Sequence, residues 1–262
     1  MARKSVPWIE ALLMVGLSAI GCGAEEDMES VSSYVVSENA LTANALTANA
    51  LTANALTANA LTANALTANA LTANALTANA LKDPLARELL KYVVSCALDE
   101  DDTITVKIDG VKYKFPGSLG LAEEWGERDG KCDMDCQRWV TACVLSRVDV
   151  EGIERMISIR GDNKALKLTA HEKKDYPVRE ATYFGNLFVD GKPRYLCLSP
   201  GQQSDQRVCG SSMSNCPMTV VGDCDDACQG EGPHGDFRKC SNVGKAGRGE
   251  TFAESITVFL PK

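Results

Sequence analysis

From Asn39 the chain spells Asn-Ala-Leu-Thr-Ala eight times without a substitution, and a ninth unit breaks off at Lys82. A period of five restricts this stretch more than any other feature restricts the rest. On an α-helix five residues advance about 500°, so Leu41, Leu46, Leu51 and Leu56 wind around the axis and share no face. On a flat strand an odd period sends successive leucines to opposite sides. Neither geometry yields a one-sided apolar stripe, and residues 39–81 hold no charge and no aromatic ring. Such a segment buries too little apolar area to offset the entropy of ordering it, which favours a spacer.

A four-sided β-solenoid does accept this period, one repeat to each side. In the frame Ala-Asn-Ala-Leu-Thr the stretch resembles the pentapeptide-repeat family, with Ala at the central inward place where the family has Leu or Phe. The resemblance implies a short β-solenoid of about two turns, fewer than the three units plus caps that repeat folds generally need. Both readings of 39–82 stand as expectations. As a spacer, the chain from Cys22 to Asp83 has a flexible reach of roughly 45 Å.

Ahead of the repeat, Arg3 and Lys4 precede an apolar run, Ala11–Gly21. Its eleven residues rise about 16 Å as a helix, short of the roughly 30 Å hydrocarbon layer, so the run reads as an export signal. It ends in Ala19-Ile20-Gly21-Cys22, which resembles the lipobox of bacterial lipoproteins. Ala19 stands where that family has Leu, and Glu10 interrupts the apolar approach. The resemblance implies a signal peptide over 1–21, acylation of Cys22 with palmitate-type chains, and an acidic tether over 22–38. Two or three chains hold a protein to a membrane far more firmly than one. By resemblance to enteric lipoproteins, Gly23 in place of Asp after the cysteine implies the outer membrane or cell surface. Cleavage after Ala24 is the alternative, and it leaves the protein secreted or periplasmic.

The remaining body, 83–262, holds ten cysteines: Cys96, Cys132, Cys136, Cys143, Cys197, Cys209, Cys216, Cys224, Cys228 and Cys240. An even number in an exported chain points to disulfide bonds, with the connectivity open. A cut near 165 leaves four before and six after, so two separately stapled lobes are arithmetically possible. Asp83-Pro84 reads as a helix start, and Leu85, Leu89, Val93 and Cys96 fall on one side of that helix. "TITVKIDGVKYKF" alternates into and out of a turn at Asp109-Gly110. Asp133 caps a second amphipathic helix with Cys136, Trp139, Val140, Cys143 and Val144 on one face. "MISIRG", "YFGNLFVDGKPRYLCL" and "SITVFL" read as strands, the second turning at Asp190-Gly191. Residues 199–250 read as loops held by bridges. The fold class is α+β, a disulfide-rich mixed domain with hairpins and two amphipathic helices.

Two stretches, "GKCDMDCQ" at 130–137 and "GDCDDACQ" at 222–229, share the pattern Gly-x-Cys-Asp-x-x-Cys-Gln. The spacing fits a four-thiolate zinc site, but an oxidising compartment and the neighbouring Asp133, Asp135, Asp225 and Asp226 favour disulfides. No metal or cofactor is expected. His171, in "HEKKD", and His234, in "GPHGD", are the only histidines and the only candidate catalytic bases. With 27 Lys and Arg against 35 Asp and Glu, the net charge is −8. That charge repels phosphate backbones and excludes nucleic acid as a natural partner.

Taken in order, the leader, the NALTA array, "DPLARELLKYVVSCAL", "CQRWVTACVLSRV", "YFGNLF" and "ITVFL" resemble a group of predicted lipoproteins from myxobacterial genomes. The resemblance implies location and brings no activity with it. The expected function is display of a disulfide-rich binding or adhesion domain on a repeat stalk. The expected partners are a membrane, through the lipid anchor, and an extracellular polymer or protein. The alternative is an exported hydrolase at the cell surface.

Overall fold

The computed structural model describes residues 46–49, 71, 80–203 and 205–262. The leader, Cys22 and the acidic tether lie outside these residues, as does most of the repeat. The described residues belong to one unit spanning 39–262.

Asp83 and Pro84 start the first helix as expected. The Asp83 carboxylate accepts from the Leu85 amide at 3.0 Å, and Pro84 opens α1 (Pro84–Ala97). The expected apolar face needs one correction. Leu85 is 37% exposed, whereas Ala86, Leu90, Tyr92 and Val94 are buried together with Leu89, Val93 and Cys96. α1 is therefore enclosed on most sides. Its last carbonyls are satisfied by the segment after the first hairpin: the amides of Ser118, Leu119, Leu121 and Ala122 donate to Leu98, Ser95, Cys96 and Ala97. Gly117 permits this approach, since a Cβ there would stand 2.0 Å from the Asp99 carbonyl oxygen.

The hairpin pairs β2 (Thr103–Ile108) with β3 (Val111–Pro116) in the expected register. Asp109 and Gly110 have φ of 49° and 92°, the left-handed pair that a two-residue turn between twisted strands requires. Ile104, Val106, Ile108 and Phe115 are buried, but Val111, expected inward, is 55% exposed, although its cross-strand partner Ile108 is covered. Asp133 accepts from the Cys136 amide and caps α2 (Met134–Ser146). Cys136, Val140, Cys143 and Val144 are buried on it, and Trp139 is partly buried.

The principal sheet has six strands. These are β1 (Leu46–Asn49), β4 (Arg155–Arg160), β5 (Val178–Gly185), β6 (Arg194–Leu198), β7 (Thr219–Asp223) and β11 (Ile256–Leu260). Their order is β1-β4-β11-β5-β6-β7, antiparallel throughout except between β6 and β7. α2 packs on β5 and β11, and α1 packs on α2 and β3. A second sheet, β8 (Cys228–Glu231), β9 (Phe237–Ser241) and β10 (Thr251–Phe252), has the order β10-β9-β8. It meets the other face of the principal sheet in a cluster of Phe184, Cys197, Phe237, Cys240 and Phe252. Both faces of β5 are thus covered, which explains a run too apolar to alternate.

Two further expectations are corrected. The segment between β5 and β6 is an eight-residue loop, 186–193, in which Asn186, Leu187 and Phe188 are buried; the strand does not continue to Asp190. Residues 199–250 are not loops alone, because they carry β7, β8, β9 and two short helices, α4 (Gln206–Cys209) and α5 (Cys224–Ala227). Strands this short and polar leave no alternation to read.

Among the described residues, the repeat joins the domain at 46–49, at Leu71 and at Leu81. Leu46–Asn49 forms edge strand β1, with Leu46 opposite Ser158 and Asn49 opposite Arg155. Leu71 is 1% exposed and donates its amide to the Trp125 carbonyl at 2.7 Å. Leu81 is buried, and the Arg87 guanidinium reaches back to its carbonyl at 2.6 Å. Among the described residues no helix is long and apolar enough to cross a membrane.

Candidate functional site

All ten expected cysteines pair: Cys96–Cys143, Cys132–Cys136, Cys197–Cys224, Cys209–Cys216 and Cys228–Cys240. The two echoing motifs behave differently. Cys132 precedes the Asp133 cap and Cys136 sits in the first turn of α2, so that pair closes on itself. Cys224 and Cys228 lie at the two ends of α5, from which the chain runs straight into β8. Cys224 therefore bonds to β6 and Cys228 to its direct neighbour on β9. The zinc reading that joined Cys132, Cys136, Cys224 and Cys228 finds no counterpart in these pairings, and bridged sulfurs offer no thiolate.

The bridges from β6 and β8 touch each other, with Cys197 Sγ 3.7 Å from Cys228 Sγ. Cys197, Cys224 and Cys228 converge within 4.8 Å. Thiol–disulfide exchange needs an attacking thiolate. All four sulfurs in this pair of bridges are buried, which shields them from external thiols. The cluster acts as a staple between the two sheets.

A buried ionic network lies on the opposite side of β5. Arg207 Nε donates to both carboxylate oxygens of Glu180 at 3.1 Å, and its Nη2 donates to Glu180 at 2.6 Å and to the Tyr183 hydroxyl at 2.8 Å. Its Nη1 donates to the carbonyls of Ser146 and Val148, tying down the end of α2. The Tyr183 hydroxyl donates to Asp205, whose other oxygen caps α4 through the Val208 amide. Burial, reinforced by Glu180, pushes the Asp205 carboxyl up from 3.8 to about 6, although Arg207 and its hydrogen bonds oppose this. Burial also holds the Tyr183 phenol well above its ordinary range. No substrate reaches these enclosed groups, and the network positions α2, β5 and α4. The sequence carries no sign of it, because the groups that meet, Glu180 with Arg207 and Tyr183 with Asp205, are 27 and 22 residues apart and form no motif.

A second buried centre lies beneath α3 (Ala170–Asp175). Ser158 Oγ donates to Glu172 Oε1 at 2.6 Å, and Arg160 donates to Ser158 and to the carbonyls of Tyr176 and His234. The Arg160 guanidinium lies 3.6 Å over the Phe259 ring. Burial raises the Glu172 carboxyl above its ordinary value, against the hydrogen bond from Ser158. The candidate bases stand at the margin. His171 projects from α3 with Nε2 3.0 Å from Asp175 Oδ2, an exposed pair of the kind worth little in water. His234 joins through its main chain, its carbonyl accepting from Arg160 and its amide donating to Asp236.

Surface clefts lie elsewhere among the described residues. One, of about 490 Å³, is lined by Asp190, Lys192, Arg194, Tyr195 and Met218. The other, of about 450 Å³, sets Asp99, Glu100, Asp101 and Glu123 across from Lys164 and Lys167. Both are open and of mixed charge, suited to a polar surface contact more than to enclosing a small molecule. No family model, curated protein or solved structure matches this chain.

Proposed function

We propose that the protein is an exported, lipid-anchored component of the cell envelope that presents a disulfide-stapled α+β domain for binding a polymer or protein outside the cell. The observation that carries this reading is the cysteine account. The sequence has eleven cysteines; five bridges among the described residues use ten of them, and Cys22 is the one left over in the count. Cys22 is the residue at the end of the apolar leader, where the lipobox resemblance puts acyl chains. Five bridges suit an oxidising compartment, and an unpaired thiol in such a compartment needs a fate. Acylation supplies one. The resemblance to myxobacterial predicted lipoproteins agrees with this location, and the open clefts suit surface recognition.

The test is the intact mass of protein extracted from membranes, with thiols labelled before and after reduction. The expected species starts at Cys22, carries acyl chains, takes no label until reduced, and then takes ten. A polypeptide that retains Met1, lacks acyl mass and labels without reductant would overturn the reading.

A further inference from the structure

Strand β1 is built from a sequence that recurs elsewhere in the same chain. Leu46-Thr47-Ala48-Asn49 is one of eight identical tetrads, which begin at 41, 46, 51, 56, 61, 66, 71 and 76. Its partner is unique: Arg-Met-Ile-Ser-Ile-Arg occurs once, at β4, where Ile157, Ser158, Ile159 and Arg160 are buried and so hold the strand in place. The other edge of β4 is occupied by β11, so β1 completes the pairing on this side of the sheet. A repeat that slips by one to four residues puts a different sequence opposite β4, whereas a slip of five restores every residue. Main-chain hydrogen bonds supply most of the affinity in strand addition, and they cannot distinguish identical units. Leu71, the next described contact, lies a whole number of units beyond Leu46, so a shift of one unit keeps both contacts in phase.

From this pairing we infer that the edge of β4 is a docking site for the LTAN sequence itself rather than for residues 46–49 alone. Any of the six units before Leu71 that reaches the edge fills it, including one from a second copy of this chain. Within one chain, each exchange of unit takes up or releases five residues, about 17 Å of extended backbone. The length of chain between the leader and the domain is then adjustable in steps of one unit. Between chains, the same strand addition links one copy to the next without any new contact surface. A chain's own units win at dilution because the tether holds them at an effective concentration on the order of millimolar. Donation from a neighbour needs copies crowded to a comparable density.

The inference is tested on the full chain by residue-resolved hydrogen exchange at β4. Half of the β4 amides face β11 and serve as an internal reference. The double variant Thr47→Pro/Ala48→Pro removes two adjacent donors, so one of them is lost on the side facing β4 whichever parity applies. The expected result is that β4 protection stays within about twofold of the parent, because another unit replaces the damaged one. A second variant carries the same Pro pair in all six units before Leu71, at 42/43, 47/48, 52/53, 57/58, 62/63 and 67/68. It should lose β4 protection by at least about tenfold while the β5 and β11 amides and all five bridges persist. Adding a synthetic ALTANALTAN peptide to it should restore protection saturably, and a peptide with the Pro pairs should not. Loss of protection in the 47/48 variant alone overturns the inference, since docking would then belong to one unit. Protection that survives in the six-unit variant, or a peptide that fails to restore it, overturns it as well. Should the six-unit variant not fold, the 47/48 variant decides.

Discussion

Asp205 sits in a site that raises its carboxyl from an ordinary 3.8 to about 6, through burial first and the charge of Glu180 second. Between those values the folded chain holds a proton that the unfolded chain has released. The stabilisation tied to this proton is full below pH 3.8 and is lost as pH rises through 6. The unfolding midpoint in denaturant, with bridges intact, should therefore fall as pH rises across this window. Asp205→Asn keeps an oxygen to cap the Val208 amide and removes the titration. Its profile should be flatter over the same window, and an unchanged slope would assign the dependence elsewhere. Glu172 and Glu254 are also raised by burial and form a background common to both proteins. Residues with a local partner were legible from the chain alone: Asp83 and Asp133 as caps, Asp109-Gly110 as a turn. Arg207, Glu180 and Asp205 were not, since their place in the network depends on partners more than twenty residues away.

The bridges act between elements, and they differ in how much of the unfolded chain each restrains. Cys96–Cys143 ties α1 to α2 across 47 residues, whereas Cys132–Cys136 spans 4. By the chain-entropy model the first contributes about 4 kcal/mol and the second about 2 kcal/mol. Cys96→Ala/Cys143→Ala should accordingly lose about 2 kcal/mol more than Cys132→Ala/Cys136→Ala in equilibrium unfolding. The reverse order would place the dominant effect in native packing, since all four sulfurs are buried. Among the elements, the β2–β3 hairpin was readable because one face is wet and its pattern alternates. β8 and β9 were not, because their cohesion comes from Cys228–Cys240 and from packing over Phe184 and Cys197 more than from their own sequence.

Across the whole molecule, no bridge crosses residue 165, as the count of four and six allowed, yet two lobes do not result. β11, from the end of the chain, lies between β4 and β5, and the main core runs from Leu71 through Val140 and Tyr183 to Val258. Calorimetry of the oxidised protein should show one cooperative transition, with calorimetric and van't Hoff enthalpies in agreement. Two resolved transitions would mean that the sheet fails to couple the halves. By itself the sequence determined the α+β class, the use of ten cysteines in bridges, both long helices, the first hairpin and the five-residue period of the repeat. Each of these comes from neighbours along the chain: a cap, an alternation, an even count. Only the tertiary structure decided which sulfurs pair, how charged groups are satisfied in the interior, and that a repeat with no apolar face of its own finds a partner strand at β4. Those outcomes depend on distances between segments that folding brings together, and no spacing along the chain encodes them.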